Sequence, residues 1–200
     1  MAISEFGEEY NQYLSNRSFL RNRMRRMFYF RDLLQYIIGD AIDFGCGVGE
    51  LLEYLRPGSI GFEVNPDSVA QCRSKNLKVF LYEPEKDQYK FSMIQPGKYK
   101  TFTMNHVLEH IPNAAKVLAQ ILSSCARLEI DNVQITVPGY KGFEHDKTHI
   151  QFIDDSFLEK NGFTRNKKYK IVESKYYPIN NKSFSKYFTH NEFRIIMKKI

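Results

Sequence analysis

The chain has 200 residues, 42% hydrophobic and 14% aromatic, which predicts one domain with a sizeable core and room for a modest appendage. The most apolar stretch, residues 27–38, contains Arg31 and Asp32, so we expect no membrane-spanning segment, and the first ten residues do not resemble a secretory signal. The net charge is +6, and three cysteines without metal-ligand spacing are typical of reduced thiols, so we expect a cytoplasmic protein.

The first half of the chain predicts alternating helices and strands. Residues 8–38 have helical apolar spacing and predict one or two helices that end near Gly39. Short strands are predicted at residues 41–44 and 59–64, with a helix over 50–55 between them. That helix is expected to turn four side chains inward: Leu51, Leu52, Tyr54 and Leu55.

A second helix has a clear start signal after residue 64. Asn65 is predicted to cap its N-terminus, Pro66 suits its first position, and Asp67 is favourable near the positive end of the helix dipole. Further strands are predicted at residues 77–82 and 100–104.

The second half predicts one strongly amphipathic helix between residues 114 and 125, followed by an alternating strand over residues 133–137. Residues 169–177 and 193–199 predict two more strands with no strong helix between them. We interpret residues 178–191 as a loop or an insertion.

Strands that alternate with helices predict right-handed crossovers and a parallel sheet covered on both faces. The predicted fold is therefore α/β, Rossmann-like and doubly wound, with an antiparallel ending. Residues 40–200 would form this domain, and residues 1–39 a helical cap or lid. Four lid residues could reach a ligand or lie on ordinary surface: Tyr10, Tyr13, Arg17 and Arg21.

A glycine-rich turn follows the first predicted strand in the segment AIDFGCGVGELLEYL, residues 41–55. Gly45, Gly47 and Gly49 would lie at the carboxyl edge of the sheet, where open α/β sheets bind ligands and where glycine lets a ligand approach the backbone. Glu63 ends the next strand and could accept hydrogen bonds from both hydroxyls of a ribose. The pattern indicates a nucleoside site, and a structural tight turn is the alternative.

The spacing of the glycines disfavours a dinucleotide. The dinucleotide fingerprint is G-x-G-x-x-G, whereas this chain reads G-x-G-x-G and has Glu50 where the third glycine would stand. A carboxylate is poorly placed beside a pyrophosphate.

Three blocks in order carry a family resemblance: IDFGCGVGELL, IGFEVNPDSV and TMNHVLEHIPN. Together they resemble the class I S-adenosylmethionine-dependent methyltransferases, in the branch with an LEH segment after the fourth strand. The resemblance covers roughly residues 38–155. It implies a seven-stranded sheet with an antiparallel last strand, and S-adenosylmethionine as the cofactor.

The resemblance also implies which residues hold the cofactor. Four would line its methionine part: Asp43, Gly45, Cys46 and Gly47. Glu63 would hold the ribose, and Tyr82 and Glu83 would flank the adenine. Asn105 and His106 would lie near the sulfonium. For Asp43 a turn-stabilising role is the alternative.

Four of the five histidines fall within a 44-residue stretch: His106, His110, His145 and His149. Histidine suits general-base chemistry near neutral pH. The resembling branch often has an acid and a histidine in the loop after the fifth strand, which match Asp146 and His149. We therefore predict His149 as the base or the acceptor ligand, oriented by Asp146, with His145 as second choice. His110 either takes part or only orders its loop; a hydrogen-bonded loop cluster remains the alternative for all of them.

No metal is expected at His145, Asp146 and His149, although each could ligate one and a metal stays open as the alternative. We interpret the segment H-D-x-x-H, residues 145–149, as a loop; no third distant ligand is evident, and most enzymes of the resembling branch need no metal.

The resemblance implies a methyltransferase for a small molecule, and we expect O-methylation of a sugar or cell-envelope precursor. Basic clusters at residues 21–26 and 166–170 either face solvent or attract an anionic partner. RNA or protein methylation is the alternative enzyme function, but no N/D-P-P-Y block follows the fourth strand and no separate RNA-binding module is evident. A non-catalytic cofactor-binding scaffold stays open, as does the oligomeric state.

Overall fold

The computed structural model describes residues 29–200, so the predicted lid residues and most of the first predicted helix lie outside the described part. The strands are β1 Ala41–Phe44, β2 Ile60–Glu63, β3 Val79–Leu81, β4 Thr101–Asn105, β5 Asn132–Val137, β6 Tyr169–Tyr177 and β7 Glu192–Lys199. The α-helices are α1 Arg31–Leu34, α2 Pro66–Ser74, α3 Pro84–Asp87, α4 Ala114–Arg127, α5 Tyr140–His145 and α6 Asp155–Lys160. Residues 29–200 also contain 3-10 helices at Leu52–Tyr54, Leu108–His110, Phe163–Arg165 and Ser183–Lys186.

The seven strands form one sheet in the order β3-β2-β1-β4-β5-β7-β6. β1 to β5 pair in parallel, and β7 is antiparallel to both β5 and β6. The predicted doubly wound sheet with an antiparallel last strand is therefore confirmed. The strand order reverses between β1 and β4, and this is the position at which an open α/β sheet forms a ligand crevice at its carboxyl edge.

The core lies on both faces of the sheet, because the central strands are buried along their whole length. Aromatic rings fill one region, where Phe44, Phe91 and Phe102 contact one another with centroids 5.3–5.9 Å apart. Helix α4 covers the sheet with the apolar stripe that its sequence predicts, including Leu118 and Ile121, both fully buried.

The two helix predictions around β2 differ in outcome. The cap of α2 is confirmed, since the Asn65 side chain accepts hydrogen bonds from the amides of Asp67 and Ser68. The helix predicted over residues 50–55 is wrong: a single 3-10 turn forms at Leu52–Tyr54. Too few residues lie between the glycine turn and Pro57-Gly58 for a longer helix, which needs several turns to offset nucleation.

Two smaller expectations are also corrected. Tyr54 does not face inward but is 44% exposed, because the 3-10 turn rotates it away from Leu51 and Leu52, which are buried. The loop expected after β5 contains the short helix α5. Within residues 29–200, none of the helices has the length and apolarity to cross a bilayer.

A buried arginine connects the beginning of the described chain to the antiparallel end of the sheet. Arg194 on β7 is fully buried, and its guanidinium lies over the rings of Tyr29 and Tyr177, 5.6 and 5.1 Å from their centroids. The same guanidinium contacts the carboxylate of Asp32 on α1, which Lys175 of β6 also approaches at 3.6 Å. Two ion pairs that share the Asp32 carboxylate thus join α1 to β6 and β7.

Replacement of Asp32 tests this connection. Asp32→Asn removes the charge that compensates a fully buried guanidinium, and we expect a loss of about 3 kcal/mol in the free energy of unfolding. Denaturant titration measures it, and the exposed carboxylate change Glu85→Gln is the matched control with a loss below about 0.5 kcal/mol. Equal losses for the two variants would show that Asp32 does not stabilise Arg194.

Candidate active site

The glycine turn after β1 is shaped by positive backbone φ angles, 71° at Gly45, 53° at Gly47 and 81° at Gly49. A Cβ atom on Gly45 would lie 2.3 Å from the Val107 side chain, so this glycine is needed for packing. A Cβ atom on Gly47 would meet no described atom within 4 Å. Gly47 therefore presents bare backbone to open space at the carboxyl edge of the sheet.

Glu63 connects this turn to the next helix. Its Oε2 accepts a hydrogen bond from the Gly47 amide at 2.7 Å, and its Oε1 accepts from the amides of Val64 and Asn65 at 2.8 and 2.9 Å. A carboxylate offers about four acceptor positions, so one remains at Oε2 beside Gly47. The carboxylate is thus held rigidly while it can still accept a hydroxyl.

Asp43 lies buried in β1, one strand away from Glu63. Burial, with a smaller contribution from the charge of Glu63, raises the pKa of Asp43 to about 7. Because Gly61 on the neighbouring β2 has no side chain, no partner for Asp43 comes from that register position. A cation placed beside Asp43 would favour its ionised form.

The Cys46 side chain points away from the open edge. It packs into the small cluster of Leu52, Val69 and Cys72, and a Cβ atom on Gly61 would lie 2.5 Å from its Sγ. Cys46 can therefore reach a ligand only through its backbone.

Tyr82, directly after β3, also has its side chain in the core and away from the open edge of the sheet. Its ring packs in the core against Phe44 and Phe91, with centroids 5.2 and 5.5 Å away, and its hydroxyl donates to Asp87. Glu83 is exposed and forms an ion pair with Lys86. Of these two residues, which were expected to flank the adenine, only Glu83 has its side chain outside the core.

Asn105 is the last residue of β4, and His106 follows it directly. The Asn105 side chain donates to Thr103 Oγ1, and its buried Oδ1 has no hydrogen-bond partner among the described residues. His106 has a positive φ of 56°, and its amide donates to the carbonyl of Thr136 on β5.

The His106 ring lies between two carboxylates. Its Nδ1 is 3.4 Å from Glu109 Oε1 and its Nε2 is 3.0 Å from Glu192 Oε1. Burial alone would lower the pKa of His106, but the two carboxylates outweigh it and raise the pKa to about 10. His106 is therefore a cation at neutral pH. Glu192 lies at the far end of the chain, on β7, and no local sequence signal points to it.

The histidines predicted to act on the acceptor, His149 and His110, lie in one cluster with Asp146. The His149 Nδ1 is 2.9 Å from the Phe143 carbonyl, and its Nε2 is 3.9 Å from Glu109 Oε1 and 3.8 Å from Asp146 Oδ2. The ring of His110 is 4.7 Å from that of His149, and burial lowers its pKa. The structure thus brings together Asp146, His149 and His110.

The remaining two residues of this region differ from the expectation. His145, predicted as second choice, lies exposed at the end of α5. Glu109, on the other hand, is fully buried and offers a carboxylate oxygen within 4.8 Å of a ring nitrogen of both His110 and His149. Glu109 is therefore a buried carboxylate beside these two rings that the sequence analysis did not single out.

The fold and the turn at Gly47 define a class I, Rossmann-like methyltransferase. The family model described as "Methyltransferase domain" matches residues 17–166. The chain therefore belongs to this family, whose class I members use S-adenosylmethionine, as the sequence resemblance implies.

Solved structures share the fold over nearly the whole chain. A SAM-dependent methyltransferase from Archaeoglobus fulgidus is 19% identical with a TM-score of 0.63, covering 95% of this chain and 98% of that one. Magnesium protoporphyrin IX methyltransferase from Synechocystis, with bound S-adenosylhomocysteine, is 13% identical with a TM-score of 0.65, covering 98% and 97%.

One characterised relative matches part of the chain. Ubiquinone biosynthesis O-methyltransferase from Methylococcus capsulatus is 32% identical over 95 residues, which is 44% of this chain and 38% of the relative. The match thus spans well under half of the length of that enzyme.

Asp43 gives a pH-dependent prediction. Its pKa is raised in the folded chain, to about 7 from 3.8, so the folded state holds the proton more tightly and stability falls as pH rises from about 4 to about 7. Asp43→Asn lacks this loss. We expect its advantage in unfolding free energy over the wild type to grow by about 3 kcal/mol across that range and to stay constant above it.

Denaturant titrations at pH 4.5, 6 and 7.5 measure the effect. Asp67→Asn, which changes an exposed carboxylate, is the control and should show no comparable growth. An advantage for Asp43→Asn that does not vary with pH would mean that Asp43 is ionised throughout.

Proposed function

We propose that the chain transfers the methyl group of S-adenosylmethionine to an oxygen of a small-molecule acceptor. The observation that carries this proposal is the pairing of Gly47 with Glu63: bare backbone faces open space, and the adjacent carboxylate keeps an acceptor position. Both lie at the carboxyl edge of the sheet, beside the strand reversal. This is the arrangement that a ribose with a methionine tail requires.

The chain's own groups suggest how the cofactor would be held. The turn from Gly45 to Gly47 would carry the methionine part on its backbone, and Glu63 Oε2 would accept a ribose hydroxyl. The half-ionised Asp43 would lose its proton near the cationic end of the cofactor. Glu83 would flank the adenine, and the segment Asn105-His106 would lie near the sulfonium.

When bound, S-adenosylmethionine supplies an activated methyl group on a positively charged sulfur. The protein has to align the acceptor oxygen with that methyl group, exclude water and remove a proton from the acceptor. We propose His149 for the proton. Its Nδ1 donates to the Phe143 carbonyl, so the neutral ring carries its lone pair on Nε2, on the side of Asp146 and Glu109. Asp146 would orient the ring, and His110 lies beside it.

The class of acceptor rests on two arguments of different weight. The partial relative is named for O-methylation in ubiquinone biosynthesis, which supports a small hydroxyl compound. The proposal of an anionic or sugar-linked acceptor, such as a cell-envelope precursor, rests on the family resemblance. The basic cluster at residues 166–170 does not support it, because this cluster precedes and begins β6, at the amino edge of the sheet and opposite the site. A further lysine, Lys182, does not support an anionic acceptor either, because it already forms an ion pair with Asp154.

Gly47→Ala tests the cofactor site by filling the open space with one methyl group. We expect the affinity for S-adenosylmethionine, measured by calorimetry, to fall at least about tenfold. Gly162→Ala is the matched control, since Gly162 also has a positive φ and open space within 4 Å but lies before β6 at the opposite edge. Each change should cost about 1 kcal/mol of stability. Equal cofactor affinity in the two variants would contradict the site.

His149→Gln tests the reacting end. Cofactor affinity should stay within about twofold, while methyl transfer across a panel of phenolic, sugar and RNA acceptors should fall by a factor of about 10² or more. His145→Gln, on the exposed end of α5, is the control and should keep full turnover. Cofactor binding without transfer to any acceptor would favour a cofactor-binding scaffold, and transfer to RNA alone would favour the second enzyme function.

A further inference from the structure

The carboxylate of Glu109 is buried beside the rings of His106, His110 and His149. Its side chain is 1% exposed, and neither carboxylate oxygen has a hydrogen-bond partner among the described residues. Its contacts are two histidine nitrogens, His106 Nδ1 at 3.4 Å and His149 Nε2 at 3.9 Å, and His106 is shared with Glu192. A buried carboxylate is costly unless it is hydrogen-bonded, paired or bound to a metal.

Hydrogen bonds fix the orientation of the two neighbouring rings. The Nδ1 atoms of His149 and His110 lie 2.9 and 3.2 Å from the carbonyls of Phe143 and Thr148. The Thr148 hydroxyl, which also approaches His110 Nδ1, donates its own hydrogen to Asp146. Because these oxygens can only accept here, both Nδ1 atoms carry the hydrogen and both Nε2 atoms keep their lone pairs. Metal-binding histidines typically donate their second nitrogen to a carbonyl in this way.

The backbone holds the two segments together. The amides of Ile150 and Gln151 both donate to the Glu109 carbonyl, at 2.9 and 3.1 Å, which fixes the loop after α5 against the turn after β4. One ligand atom of each of Glu109, His110 and His149 lies within 4.8 Å of the others. Ligands of a shared cation lie roughly 3.3 Å apart when each bond is 2.0–2.2 Å long, so small side-chain rotations close the site.

We propose that Glu109, His110 and His149 bind one divalent transition-metal cation. Two imidazoles and one carboxylate suit Zn²⁺, Mn²⁺, Fe²⁺ or Co²⁺, whereas Mg²⁺ and Ca²⁺ prefer oxygen ligands throughout. Asp146 Oδ2, 3.8 Å from His149 Nε2, is the nearest further oxygen and can complete the protein ligands.

A cation at this site would change the role of His149 in methyl transfer. This consequence rests on the proposed function, whereas cation binding itself does not. With a cation bound, His149 would be a ligand instead of the base, and the open coordination position would hold the acceptor oxygen, whose hydroxyl proton would pass to solvent. The acceptor is then a compound with a hydroxyl that can ligate a metal, such as a phenol with an adjacent oxygen. Methyl transfer would then depend on the cation.

Cation binding is measured on the tag-free full chain after treatment with a chelator. Titration with Co²⁺, followed by visible absorption, and with Zn²⁺ and Mn²⁺, followed by calorimetry, should give one cation per chain. Glu109→Gln and His110→Gln should each weaken binding more than about tenfold. His145→Gln is the control and should bind as the wild type does.

The outcomes separate the possibilities. A wild type that binds no cation, or variants that bind as tightly as the wild type, would overturn the metal site. Thermal melts establish that the variants fold. If Glu109→Gln does not fold, His110→Gln still tests the site, because His110 is only half-buried. Methyl transfer that persists in chelator would overturn the role in acceptor binding but leave cation binding and the methyltransferase activity intact.

Discussion

The bond between the Glu63 carboxylate and the Gly47 amide is the interaction on which the proposed cofactor site depends. It fixes the turn after β1 against the end of β2, and the second oxygen of the same carboxylate binds the amides that lead into α2. The glycine turn is thereby held open with its backbone toward the crevice. Rigid placement of this kind lowers the ordering cost of ligand binding, because the protein groups do not have to be immobilised when the ligand arrives.

A second polar network lies on the other side of the strand reversal. His106 bridges Glu109 and Glu192, and Glu109 in turn faces His149 and His110. This network joins the exits of β4 and β5 to the beginning of β7, so the antiparallel strand is part of the site as well as of the sheet. The proposed cofactor groups and the proposed reacting groups thus lie on the two sides of the strand reversal, at the same edge of the sheet.

The predictions from sequence succeeded where the pattern was local. The cap at Asn65, the stripe of α4 and the seven strands follow from periodicity and from residues close in the chain. They failed where packing overrides propensity: residues 50–55 form a single 3-10 turn, and the ring of Tyr82 joins the core instead of the open edge. At the reacting end, Asp146 and His149 do meet, but His145 does not join them.

The sequence by itself determined the architecture and the location of the glycine turn, because hydrophobic period, capping residues and the G-x-G-x-G spacing are features of consecutive residues. Only the tertiary structure decided the surroundings of the reactive groups. Glu192 reaches His106 across 86 positions of the chain, and Glu109 reaches His149 across 40. Such contacts follow from strand order and register, which no local pattern contains, and they place carboxylates beside the rings of His106 and His149.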